Sequence, residues 1–158
     1  MITVGFDLGF AACGWAVLSG DACTTGLIRT KRETKRLMLH QSSDDARRID
    51  VLAAEMQRVL DEHLPELVAY ELPSGSRGAS QARALGYAHG VVRVIGRDYH
   101  RLVEVPVLDA RRWVAGVALG RVTEEQAHAC VVSRWPHLTS ASVHERDAVI
   151  VALTASKR

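Results

Sequence analysis

The sequence predicts a mixed α/β domain: a five-stranded sheet with helices on both faces, the elements running βββαβαβααα. Three observations carry this. Two turn signals cut the first thirty residues into three short β-rich runs, too closely joined for helical crossovers. Apolar residues then recur at helical spacing before each of two later short apolar runs. The last third is helical, with two capping boxes.

The elements follow in order. Ile2-Thr3-Val4-Gly5-Phe6-Asp7 is a strand ended by Leu8-Gly9, Gly14 to Leu18 is a second, and Cys23 to Thr30 a third after the turn Ser19-Gly20-Asp21. Residues 31–42 are polar and basic and predict a surface loop. Ser43 or Asp44 is the expected N-cap of a helix whose apolar face carries Ile49, Leu52, Ala53, Met56, Val59 and Leu60, stopping near Pro65. Leu67 to Glu71 is a buried-type strand, and the intervening helix allows it to lie parallel to the first. The small polar loop 74–80 leads into a helix with Leu85, Ala88, Val92 and Ile95 on one face. Leu102 to Val105 is the fifth strand. Asp109 is the expected cap of a short helix, while Thr123 with Gln126 and Ser142 with Glu145 open the last two. Such a mixed sheet is covered on both faces.

The 158 residues suit one domain, 47% hydrophobic and 24% charged, so a packed core is expected over 1–158 and disorder is not. A formal net charge of +2 favours no acidic partner overall; only local basic clusters could. No apolar run of the length of about 18 residues that a membrane helix needs is present. Cys13, Cys23 and Cys130 are odd in number and widely spaced, which argues against a disulfide scaffold or zinc finger and suits a reducing cytoplasm.

Four side chains draw attention. Asp7 and Glu71 end the first and fourth strands, and parallel neighbours would present both at the sheet edge where open α/β sheets place ligands. His144 and Asp147 are three apart at the start of the last helix and share a face that could be aimed at them. Converging carboxylates repel, so one must protonate or a cation must sit among them. Oxygen-rich ligands suit Mg²⁺ or Mn²⁺. Two such ions roughly 4 Å apart would clamp the attacking and leaving oxygens of a phosphodiester. Singly, each residue has a plainer explanation: Asp7 as a turn former, Glu71 as an exposed strand end, Asp147 as a first-turn charge, His144 as an ordinary surface histidine. Glu145 is set aside, because the capping box gives it a structural task and it lies about 200° around the helix from Asp147.

At these residues the chain resembles the RuvC family of Holliday-junction resolvases, within the ribonuclease-H-like superfamily. The blocks that carry the resemblance are Gly5-Phe6-Asp7-Leu8-Gly9 with Cys13-Gly14-Trp15-Ala16-Val17-Leu18, then Ala69-Tyr70-Glu71, then Ala84-Leu85-Gly86-Tyr87-Ala88-His89-Gly90-Val91, then Glu145-Arg146-Asp147-Ala148. The resemblance implies a ribonuclease-H-like nuclease domain with Asp7, Glu71, His144 and Asp147 as catalytic residues and metal ligands for two Mg²⁺ (or Mn²⁺) ions. It also implies a homodimer that nicks two strands of a four-way DNA junction symmetrically, a crossover junction endodeoxyribonuclease. Two departures mark a diverged member. The stretch Leu72-Pro73-Ser74-Gly75-Ser76 lacks the aromatic that many members stack into the junction. Arg111, Arg112, Glu124 and Glu125 stand in helices where lysines are usual.

The candidate DNA contacts are Arg77 and Arg83 beside the small-residue loop, Arg111 and Arg112, and Lys31 and Arg32 in the densest basic cluster. Gly86 and Gly90 are four apart on one helical face, which demands a close backbone approach, either to the chain's own sheet or to a second copy. The rival expectations are a related nuclease acting on flaps or RNA, and a junction-binding protein without catalysis.

Overall fold

A computed structural model of the protein describes residues 1–72, 78–99, 101–118 and 120–157. The sheet has five strands in the spatial order β3-β2-β1-β4-β5, formed by β1 (Ile2–Asp7), β2 (Ala12–Ser19), β3 (Ala22–Arg29), β4 (Leu67–Leu72) and β5 (Leu102–Pro106). The first three form the expected antiparallel meander, while β4 lies parallel to β1 and β5 parallel to β4. The helices are α1 (Gln41–His63), α2 (Ala79–Gly96), α3 (Val107–Val114), α4 (Glu124–Arg134) and α5 (Val143–Ala155), with a 3₁₀ turn at Pro136–Ser140.

Strand alternation sends side chains into two cores. Val4, Phe6, Val17, Val68 and Tyr70 pack under α1 and α2 with Leu52, Met56, Leu60 and Val92. Ala16, Leu18, Leu67, Ala69 and Val105 face the other way, against α3, α4 and α5. Small residues dominate that second face where α5 crosses the sheet. A Cβ on Gly5 would fall 2.5 Å from the Ala148 carbonyl oxygen, and one on Gly14 would fall 2.0 Å from that of His144. The missing side chains let α5 lie directly on β1 and β2.

Both capping boxes form, Thr123 with Gln126 and Ser142 with Glu145, each reciprocally bonded. Two helix starts differ from expectation. Helix α1 begins at Gln41, with His40 at its N-cap, ahead of Ser43 and Asp44. Asp44 is instead buried in the first turn, accepting from Glu33 N and paired with Arg47 at 2.7 Å. Helix α3 follows Pro106 without a side-chain cap, so Asp109 is a first-turn acid rather than the cap.

Candidate active site

Asp7 and Glu71 reach one place because of register. Phe6 pairs with Tyr70 across the parallel strands, so the next residue on each is an acid. Alternation puts these two on the face of Gly5 and Ala69, beneath α5. The Ser142 capping box fixes the start of that helix, whose first turns carry His144 and Asp147. His144 Nδ1 lies 2.6 Å from Asp7 Oδ2.

The electrostatics match this crowding. Burial pushes the Glu71 carboxyl up to about 9, reinforced by the charge of Asp7, a hydrogen bond shared with it, and the charge of Asp147, with Arg111 opposing. Glu71 therefore keeps a proton at neutral pH unless a cation replaces it. The hydrogen bond to Asp7 raises the His144 pKa above its ordinary value against the desolvation that would lower it. All four residues singled out by spacing are thus brought to one end of the sheet, His144 against Asp7 and Asp147 in one cleft with Glu71. Glu145 is occupied elsewhere, bonding Ser142 and accepting from Thr25 Oγ1 at 3.1 Å.

Sequence reasoning missed one neighbour. His128, buried on α4, places Nε2 2.9 Å from Asp147 Oδ1. Glu124, one turn earlier, offers a carboxylate oxygen within 4.8 Å of both. The signal was an i, i+4 acid–histidine pair whose histidine falls on the apolar face of Ala127 and Val131.

The cationic candidates are differently engaged. Arg111 reaches inward, 2.8 Å from Glu124, and shares a small cleft with Glu71 and Asp147. Arg112 donates to the Gly120 carbonyl, and Arg83, half exposed, lies 3.6 Å from Asp45. Lys31 and Arg32 line a surface hollow with Thr34, Lys35 and Arg36. Arg77 and most of the loop with the missing aromatic lie outside the described residues.

Two parallel strands beside an antiparallel three-stranded meander, with helices on both faces, make a ribonuclease-H-like fold, here with acids ending β1 and β4 and a third on the helix that crosses them. Searched against protein-family models, the chain matches none. Among curated proteins it is 28% identical over 153 residues to the crossover junction endodeoxyribonuclease RuvC of Parvibaculum lavamentivorans, covering 95% of this chain and 83% of that one. It is 26% identical over 132 residues to the RuvC of Dictyoglomus thermophilum, covering 83% and 80%. Its fold matches Thermus thermophilus RuvC in complex with Holliday junction substrate with a TM-score of 0.79 at 22% identity, over 99% of this chain and 93% of that one. The yeast mitochondrial Holliday junction resolvase Ydc2 matches with a TM-score of 0.59 at 11% identity, over 95% and 75%. The chain is thus similar in sequence to curated RuvC proteins over most of its length, and similar in fold to Thermus thermophilus RuvC.

Proposed function

We propose that this chain is a divalent-metal-dependent endonuclease that resolves four-way DNA junctions by paired symmetrical nicks. The observation that carries the proposal is the gathering of acids at one sheet edge, with His144 Nδ1 2.6 Å from Asp7 Oδ2 and Glu71 and Asp147 lining one cleft, a concentration of negative charge that raises the Glu71 pKa and that a cation would relieve. The donor set fits Mg²⁺ or Mn²⁺: carboxylates from Asp7, Glu71 and Asp147, with the single imidazole of His144 making Mn²⁺ acceptable as well. When bound there, a pair of such ions would supply Lewis-acid stabilisation and an activated water for phosphodiester hydrolysis. The chain's own part is to hold the ligands. Asp7 fixes the His144 ring through Nδ1, the α5 capping box sets the helix start, and Arg111 moderates the charge on Glu71.

DNA would approach across Arg83, Arg112, Lys31 and Arg32. A homodimer suits a junction with two-fold symmetry. Its proposed face is the open apolar groove of Gly86, Tyr87, Gly90 and Val94 against Ile49 and Ala53, because neither glycine meets the chain's own core. No helix among the described residues is long and apolar enough to cross a membrane. Free Cys13, Cys23 and Cys130 suit the reducing cytoplasm.

The test is Asp7→Asn on a four-way junction. The variant is expected to bind the junction as wild type does and to leave it uncut in Mg²⁺. Cutting at the wild-type rate would overturn the site assignment. Cleavage of a flap or an RNA–DNA hybrid in preference to the junction would replace the substrate.

A further inference from the structure

The proposed ligand set leaves His128 unexplained. Its side chain is nine-tenths buried, yet among the described residues its hydrogen-bond partner is a carboxylate of the site, Nε2 to Asp147 Oδ1 at 2.9 Å. An ionised carboxylate can only accept, so a contact this short places the shared proton on Nε2, the tautomer with Nε2–H. The neighbouring acid does not compete for that proton, since Glu124 is drawn off by Arg111 at 2.8 Å. Asp147 is thus gripped from behind by α4 while its charge acts on Glu71 in front.

We propose that His128 is a positioning residue: it donates Nε2–H to Asp147 Oδ1 and holds that carboxylate against Glu71, ready for a divalent cation. This rests on the proposed metal-dependent function and adds to it a residue outside the four ligands. A hydrogen bond from behind restricts the carboxylate to one rotamer and raises its worth as a ligand, and loss of such a partner typically weakens metal binding about 10–100-fold. The grip also couples α4 to the site. The Thr123 capping box that starts α4 and the Ser142 box that starts α5 together set the spacing between His128 and Asp147.

The test is Mn²⁺ binding to the metal-free protein, followed by titration calorimetry and by the electron paramagnetic resonance of free Mn²⁺, below the unfolding temperature of every variant. His128→Leu removes the donor and keeps apolar bulk. His128→Gln restores an N–H at about the reach of Nε2. If the leucine variant does not fold, His128→Asn, whose amide stops short of Asp147, takes its place. The leucine (or asparagine) variant is expected to bind Mn²⁺ about 10–100-fold more weakly, and the glutamine variant within about threefold of wild type by the same logic. A leucine variant with a lowered unfolding temperature but wild-type Mn²⁺ affinity would reduce His128 to a packing residue and overturn the proposal. A glutamine variant as weak as leucine would overturn it too, pointing to the ring as a ligand itself. If wild type takes up no Mn²⁺, the metal-dependent function falls with it; if wild type binds and all variants bind alike, only the role of His128 falls.

Discussion

The proton that Glu71 holds against Asp7 sets how the site answers to pH. The folded carboxyl titrates near 9 against an ordinary 4.5, so between those values the folded state keeps a proton that the unfolded chain has released. Stability of the metal-free protein must then fall as pH rises through that window. Thermal unfolding of the metal-free protein is expected to lose temperature from about pH 5 to pH 9, more steeply than in Glu71→Gln, and added Mg²⁺ is expected to recover more at the alkaline end. Equal slopes in the two proteins would contradict a protonated Glu71. His144 has the same sign: its bond to Asp7 raises the pKa, so its contribution is full below the unfolded value and is lost as pH climbs through the folded one. A cation needs the neutral ring. Cleavage by wild type should therefore fall in mildly acid buffer more than cleavage by His144→Asp; superimposable pH–rate profiles would remove His144 from the ligand set. The placement of these four at one end of the sheet was legible because strand ends and a capped helix start place side chains predictably. His128 was not, since its i, i+4 pairing with Glu124 is common on helices and only the packing of α4 on α5 gives its ring the Asp147 carboxylate.

Helix α5 depends on two absent side chains and one cap. A methyl at Gly14 would stand 2.0 Å from the His144 carbonyl, a backbone atom that cannot yield without moving the helix. Gly14→Ala is expected to destabilise the fold and to cut Mn²⁺ affinity together. Ser142→Ala removes the cap and should cost about 1 kcal/mol in denaturant unfolding. Undiminished stability in both Gly14→Ala and Ser142→Ala would mean that α5 is held by other contacts. At this scale the meander, the parallel fourth strand and both capping boxes were readable from turns and spacing. The starts of α1 and α3 were not: His40 and Pro106 supply no side-chain cap, and Asp44 and Asp109, good cap types, are spent inside the first turn. Asp44 serves Arg47 and the Glu33 amide there, a tertiary bond that local pattern does not announce.

The whole molecule is divided by its sheet into a side under α3 to α5 that carries the proposed site and a side under α1 and α2 that ends in an apolar groove. The sequence left open whether Gly86 and Gly90 meet the chain's own sheet or another copy; their surroundings are open, so the first alternative is gone. A charge in that groove, as in Val94→Glu, is expected to turn a dimer into a monomer by light scattering while leaving Mn²⁺ binding intact; a wild type that is already monomeric would count against paired nicking. With a net charge of only +2, junction affinity must come from local arginines and lysines and should drop with added salt. The most direct measurement is cleavage of a mobile four-way junction with and without Mg²⁺, mapping nicks on all four strands. The account predicts Mg²⁺-dependent nicks at symmetry-related positions on two opposed strands, abolished in Asp7→Asn. Cleavage that persists without a divalent cation, or an intact junction at saturating Mg²⁺ and protein, would contradict it.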